Sequence, residues 1–253
     1  MIHFIGAGPG AADLITVRGA ELLQKAGIIV YAGSLVNVEL VSKYAREDCR
    51  LYDSANMTLD EIIAVLEEGH SHEILTVRLH SGDPALFGAV REQFEALRAR
   101  NIPFEVVPGV SSLFGASAAL QTEYMIPDSA QTLIITRLDG RTRVQERESL
   151  RSLASHGASI AVFLSAGMLE RVCSELIAGG YSVNTPAAVV YRATWPDERV
   201  ILGTLETLPE LAQGITKTAI ILAGDFLRED THKASRLYDK YFSHEYRNSC
   251  LHQ

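Results

Sequence analysis

Along the first half of the chain, short apolar runs alternate with stretches of helical period. Ile2–Ile5, Ile28–Tyr31, Ile74–Leu79 and Phe104–Val107 are rich in β-branched or aromatic residues and have the length of buried strands. Between the first two, Thr16–Lys25 carries its apolar residues at helical spacing. Thr58 and Glu61 stand ahead of Ile62, Ile63 and Leu66 as a capping-box pair, with Gly69 as the expected stop. Leu86, Val90, Phe94 and Leu97 recur on one helical face against Arg91, Glu95 and Arg98, and Ser111–Leu120 reads as a helix of small residues. Strands alternating with helices predict a mainly parallel sheet covered on both faces.

The pattern changes at Ile126-Pro127-Asp128-Ser129. Beyond it, Leu133–Thr136, Ser159–Leu164, Ala188–Tyr191, Arg199–Leu202 and Ala219–Leu222 read as strands, the last three too close for much helix between them. Thr194–Arg199 reads as a turn, so antiparallel pairing is expected in that half. The predicted fold class is α/β, in two α/β domains. The N-terminal one covers residues 1–122 with a mainly parallel sheet, a linker covers 123–131, and the C-terminal one covers 132–253 with a mixed sheet. A length of 253 residues suits two modest domains.

Composition narrows the function classes. Hydrophobic residues make up 47% and charged residues 21%, as in ordinary globular chains. A net charge of −8, spread without a basic block, weighs against nucleic acid as the ligand. Cys49, Cys173 and Cys250 lie far apart with no CxxC, so neither a disulfide framework nor a zinc site is read from them. His70 and His72 lack the spacing of a metal pair and read as solvated. The chain opens directly on the strand-like Met1–Ile5, and its longest apolar runs, such as Ile160–Leu164 and Ala219–Ala223, fall far short of the roughly 20 residues that span a bilayer. A cytoplasmic protein without a membrane segment is expected.

Candidate chemistry concentrates in loops that follow strands. Gly6-Ala7-Gly8-Pro9-Gly10, read with Ala11, formally matches the dinucleotide fingerprint G-x-G-x-x-G/A. Pro9 has no N–H to offer a pyrophosphate, and no acidic residue follows about 20 positions on, because the second strand runs into Tyr31-Ala32-Gly33-Ser34. His80-Ser81-Gly82-Asp83-Pro84-Ala85 brings a glycine, a carboxylate and a proline suited to a first helical turn. Asp83 there reads either as a helix N-cap or as a ligand-orienting group. Pro108-Gly109-Val110-Ser111-Ser112 is the third loop, where either serine can cap the following helix. In a parallel sheet such loops line one edge, where ligands bind. None holds a lysine or a G-x-x-x-x-G-K-[ST], so a nucleoside without its phosphates fits better than a triphosphate.

No G-x-S-x-G elbow, cysteine nucleophile or metal cluster stands out, which favours a reaction that needs no catalytic side chain. Methyl transfer from a sulfonium donor is one, because alignment alone is worth about 7–11 kcal/mol in well-oriented cases. One region opposes the acidic total: Arg137, Arg141, Arg143, Arg147 and Arg151, interrupted by Asp139, Glu146 and Glu148. Arg143–Arg151 also reads as a helix face with i,i+4 pairs. Arg137 and Arg141 follow a strand on a loop, where guanidinium groups suit capture of carboxylates.

Gly6–Gly10 with Asp13-Leu14-Ile15-Thr16, Gly82-Asp83-Pro84 and Val107-Pro108-Gly109-Val110-Ser111-Ser112 together closely resemble the signature of the tetrapyrrole methylases. Thr132–Thr142, Tyr191-Arg192-Ala193-Thr194-Trp195-Pro196-Asp197-Glu198 and the tail around Arg236–Tyr238 and Phe242–Arg247 narrow the resemblance to members acting at C-11 of precorrin-4 or cobalt-precorrin-4. The likeness runs from Ile2 to Arg247, with Arg143 standing where a proline is expected. It implies S-adenosylmethionine as methyl donor and S-adenosylhomocysteine as product. It also implies a tetrapyrrole of the cobalamin pathway as acceptor, a donor cleft between two α/β domains, and a homodimer. Carried over, the donor site falls on Pro9, Ser81, Gly82, Asp83, Leu86, Ser111, Ser112, Leu164 and Ala193, with Tyr191, Arg192 and Ala219 close by. Asp83 would orient the donor, Arg137 and Arg141 would anchor acetate or propionate groups, and neither a side-chain nucleophile nor a protein metal is expected. The tail and Leu138–Thr142 favour the cobalt-containing acceptor over the metal-free one. A nicotinamide oxidoreductase and a non-catalytic tetrapyrrole carrier are the rival readings.

Overall fold

The computed structural model describes residues 1–127, 129–140, 142–228 and 236–248. The chain divides into two compact units, Met1–Ala119 with Arg192–Glu198, and Leu120–Tyr191 with Arg199–Gln253.

In the first unit the elements run β1 (Ile2–Gly6), α1 (Val17–Lys25), β2 (Ile28–Tyr31), α2 (Val38–Tyr44), β3 (Arg50–Asp53), α3 (Leu59–Ser71), β4 (Thr76–His80), α4 (Arg91–Ala99), β5 (Phe104–Val107) and α5 (Ser112–Leu120). All five strands are parallel, in the order β3-β2-β4-β1-β5. Alternation along the strands supplies two apolar faces. Ile2, Phe4, Ile28 and Val30 pack with Ile63 and Leu66 of α3 and Leu97 of α4. Ile5, Ile29, Val77 and Leu79 pack with Leu23 of α1 and Leu40 of α2. Because β1 lies between β4 and β5, the loops leaving these strands start side by side.

Local signals account for most helix starts. Thr16 accepts from the Gly19 amide, and the Thr58–Glu61 capping box forms in both directions, at 2.7 and 3.3 Å. Two expectations fail. Gly69 does not end α3, which runs on to Ser71; it is glycine because a Cβ there would stand 2.1 Å from Thr76 Oγ1. Nor does a helix start at Pro84 or include Leu86. Residues 84–87 form a turn, Phe87 and Ala89 take left-handed backbone (φ 57° and 47°), and α4 begins only at Arg91.

The second unit contains β6 (Leu133–Arg137), α6 (Leu150–Ala154), β7 (Ser159–Phe163), α7 (Leu169–Ala178), β8 (Pro186–Tyr191), β9 (Arg199–Thr204), the short α8 (Leu208–Leu211) and β10 (Ala219–Ala223). The sheet order is β6-β7-β10-β8-β9, with β6 parallel to β7 and the remaining pairs antiparallel. Ile160, Val162, Val189 and Ile221 build its core with Leu150 of α6, Val172 and Leu176 of α7 and Leu208 of α8. Tyr124 and Ile126, in the stretch expected to be a linker, are buried. The Tyr124 ring meets Phe226 edge-on at 5.2 Å, and its carbonyl accepts from Ser159 Oγ at 2.7 Å. Among the described residues no helix is long and apolar enough to cross a membrane.

One polar pair is enclosed in the first unit. Arg78 and His80 both project from β4 onto the α3/α4 side and are 5% exposed. Arg78 donates to Gln93 Oε1 at 3.1 Å and to the Val30 carbonyl at 3.2 Å, while the His80 ring stacks on Phe4 at 5.9 Å. Burial pushes the His80 imidazole down to about 3, with the Arg78 charge adding to the effect. The folded chain therefore refuses a proton that the unfolded chain accepts below about pH 6.5. Stability is predicted to fall as pH drops from about 6.5 towards 3, with a slope from this group of about 1 kcal/mol per pH unit. His80→Phe should flatten that part of the slope in urea melts at a series of pH values.

Candidate functional site

Three strand-end loops meet backbone to backbone at the carboxyl edge of the parallel sheet. The Ala7 amide donates to the His80 carbonyl at 2.7 Å, and Gly8 and Gly82 exchange hydrogen bonds at 3.3 and 2.8 Å. Asp83 joins the other pair: Oδ1 accepts from its own turn at Ala85 N (2.7 Å) and Oδ2 accepts from Gly109 N (2.8 Å). There is no room for side chains at this junction. A Cβ on Gly6 would stand 2.5 Å from Gly109 Cα, and one on Gly109 would stand 2.2 Å from the Gly82 carbonyl oxygen. Gly82 is glycine for another reason, its φ of +61°; a Cβ there would make only ordinary van der Waals contact, with Ser111 Cα at 3.5 Å and Ser112 N at 3.6 Å.

The same bonding disfavours the dinucleotide reading of the first loop. The amides of Ala7 and Gly8 are spent on carbonyls, that of Ala11 on Thr194 Oγ1 at 3.0 Å, and Pro9 has none. A pyrophosphate would find few donors there. The expected donor residues Pro9, Ser81, Gly82, Asp83, Leu86, Ser111, Ser112, Arg192 and Ala193 all belong to the first unit. Pro9 lies against α5, where a Cβ on Gly115 would stand 2.9 Å from its ring, and Ala193 is next to the same glycine. Ser111 caps α5, with its Oγ accepting from Leu113 N at 3.2 Å, and is buried; Ser112 and Ser81 are half-buried. Leu86 sits in the turn after Asp83, its amide donating to the Asp83 carbonyl at 3.2 Å.

The other expected residues belong to the second unit. Tyr191 and Ala219 are register partners across β8 and β10. Leu164 follows β7, exposed and with φ 55°, where the β10–β7 register, continued by two steps beyond Ile221↔Val162, falls opposite Ala219. All three thus fall at one edge of the mixed sheet. Arg137 ends β6, and its guanidinium is turned onto its own loop, donating to the carbonyls of Leu138 (3.3 Å), Thr142 (3.0 Å) and Arg143 (3.1 Å). Arg141 lies outside the described residues. Arg151 makes a two-pronged pair with Glu175 of α7 rather than an i,i+4 pair on its own helix.

Sequence reasoning did not find the groups that fix the first loop from outside. Asn37 donates to the Gly10 carbonyl at 3.1 Å, and Trp195 Nε1 donates to the Pro9 carbonyl at 3.2 Å. The signal available was that Trp195 is the one tryptophan of the chain, in a polar segment with no apolar pattern to bury it.

Gly109→Ala is predicted to destabilise the protein by about 3 kcal/mol, because backbone rather than a movable side chain meets the new methyl. Asp83→Ala should cost about 2 kcal/mol by releasing two amides. Thermal melts by circular dichroism measure both.

Compared with known proteins, residues 1–209 match the family model of Tetrapyrrole (Corrin/Porphyrin) Methylases. A cobalt-precorrin-4 C(11)-methyltransferase of Methanocaldococcus jannaschii is 47% identical over 98% of this chain and 96% of its own length. A protein of the same name from Priestia megaterium is 44% identical over 97% of both chains, and a precorrin-4 C(11)-methyltransferase of Pseudomonas aeruginosa is 40% identical over 97% and 98%. Among solved structures, a cobalt precorrin-4 methyltransferase superposes with a TM-score of 0.87 at 43% identity, covering 90% of this chain and 96% of that one. A uroporphyrin-III C-methyl transferase from Thermus thermophilus, complexed with S-adenyl homocysteine, gives 0.75 at 25% identity over 90% and 93%. With the family model spanning most of its length and these relatives nearly all of it, the chain belongs to the tetrapyrrole (corrin/porphyrin) methylases.

Proposed function

We propose that the chain transfers the methyl group of S-adenosylmethionine to C-11 of cobalt-precorrin-4, a step in cobalamin biosynthesis. The observation that carries this reading is the loop junction: the amides of Ala7, Gly8, Gly82 and Gly109 are spent on holding it together, and the Gly82 backbone lies within van der Waals reach of Ser111 and Ser112. Such a site suits a nucleoside lying against backbone and hydroxyls and does not suit a pyrophosphate. The relatives named for the cobalt-containing acceptor, at 47% and 44% identity, support that acceptor over the metal-free one, whose named relatives stand at 40% and 42%. Cobalt is then part of the substrate.

When bound, S-adenosylmethionine supplies a methyl already activated on sulfonium, open to direct displacement by the ring carbon. The chain's own work is to bind and align. Pro9, Ser81, Gly82, Leu86, Ser111, Ser112, Arg192 and Ala193 form the donor surface of the first unit. Leu164, Tyr191 and Ala219 are assigned to the donor on the family resemblance. Asp83 acts through the loops, since both carboxylate oxygens already hold amides. Arg137 binds the carbonyls of Thr142 and Arg143 in its own loop, and with Arg141 it supplies a cationic anchor for the acceptor's carboxylates. A cytoplasmic homodimer completes the reading.

An assay with methyl-labelled donor, offered precorrin-4 with and without cobalt, tests the proposal. Label should enter the cobalt form at the higher kcat/KM. Preference for the metal-free acceptor would move the reading to precorrin-4, and S-adenosylhomocysteine binding without label in either acceptor would favour a carrier. Arg137→Ala is expected to raise the acceptor KM by about tenfold, as loss of loop order and charge together imply, with donor binding nearly intact.

A further inference from the structure

Arg192–Glu198 lies in sequence between β8 and β9 but packs as part of the first unit, against the Gly6–Ala11 loop. Two of its residues, Arg192 (φ 49°) and Thr194 (φ 69°), hold left-handed backbone without being glycine, a conformation kept only where surrounding contacts enforce it. Those contacts are present. Trp195 N donates to the Arg192 carbonyl at 2.9 Å, Glu198 N to the Trp195 carbonyl at 3.0 Å, and Thr194 N to Glu198 Oε2 at 2.5 Å. Arg192 pairs with Asp197 at 2.7 Å, and its guanidinium lies over the indole of Trp195, 4.5 Å from the ring centroid. The indole is thus held from behind, and on the loop side it meets Pro9 and Gly10. Nε1 donates to the Pro9 carbonyl at 3.2 Å, and a Cβ on Gly10 would stand 2.1 Å from indole Cδ1 and 2.4 Å from Nε1. Thr194 Oγ1, one residue before, takes the Ala11 amide.

Gly10 is therefore glycine to admit an indole of the same chain, whatever the ligand. We propose that Trp195 is a positioning residue for the methyl donor: a wedge seated on Gly10 and bonded to Pro9, which fixes the first loop in its donor-binding form. This rests on the donor reading of that loop given above. Trp195 touches the loop and acts through it. Its removal should weaken donor binding, and the loss should fall on the donor KM rather than on kcat or the acceptor KM.

The test is calorimetric titration of the full chain with S-adenosylhomocysteine, together with steady-state kinetics, at a temperature where circular dichroism shows each variant folded. Trp195→Ala should weaken S-adenosylhomocysteine binding by about tenfold or more, and Trp195→Phe, which keeps a ring and loses the N–H, by about three- to tenfold. Gly10→Ala should be as damaging as Trp195→Ala in the native background and clearly less so once Trp195→Ala has removed the indole, although the Ala193 carbonyl oxygen, 2.9 Å from the new Cβ, still resists it; general destabilisation does not produce that non-additivity. If both Trp195 variants bind the product as tightly as the native chain, or if Gly10→Ala costs the same in both backgrounds, the wedge is overturned while the donor reading stands. A native chain that fails to bind S-adenosylhomocysteine would overturn the donor reading and the wedge with it.

Discussion

Where β4, β1 and β5 end side by side, the backbone of Gly109 lies against Gly6 and the Gly82 carbonyl with no space for a methyl group between them. That steric constraint decides the character of the loops. Because the loops touch directly, the amides of Ala7, Gly8 and Gly82 bond to carbonyls of the facing loop, and the Asp83 carboxylate takes those of Ala85 and Gly109. The sheet order makes this possible, since β1 with β4 and β5 on its two sides brings three loops to one point. The cores beneath, with α1 and α2 on one face and α3 and α4 on the other, hold the strands that carry them.

The chemistry follows from that rigidity. A methyl already activated on sulfur needs no nucleophile from the protein, so the residues at the junction are there to hold shape. Loops tied to one another before the ligand arrives have little to reorganise on binding, and ordering costs that would reduce affinity are already met. The net charge of −8 says nothing of the ligand's sign. The polycarboxylate acceptor we propose depends instead on local cations, and Arg137 is turned onto its own loop's carbonyls.

Much of this was legible in the chain. Short apolar runs such as Ile2–Ile5, caps such as Thr58 with Glu61, and the crowding of strands after Ala188 are local signals, and they forecast a parallel sheet followed by a mixed one. The three glycine loops are legible from the sequence, but the reasons for their glycines are not: Gly82 is required by its positive φ, and Gly6 and Gly109 by the approach of a neighbouring loop. Close approach was read there as space for a ligand, whereas the neighbour is another loop, a fact fixed by strand order and invisible to spacing. Edge strand β3 (Arg50–Asp53) has no apolar pattern because three of its four positions are exposed, so it gave no signal. Asn37 and Trp195 reach the first loop from 27 and 186 residues away, distances at which no sequence pattern acts.

The central claim, that the donor loops are locked before any donor binds, is tested most directly by native-state hydrogen exchange at the amides of Gly8, Gly82 and Gly109. The account predicts slow exchange at all three in the ligand-free protein, close to the rate set by global unfolding, with little further protection when S-adenosylhomocysteine is added. Fast exchange in the free protein, becoming slow only with the ligand present, would contradict it.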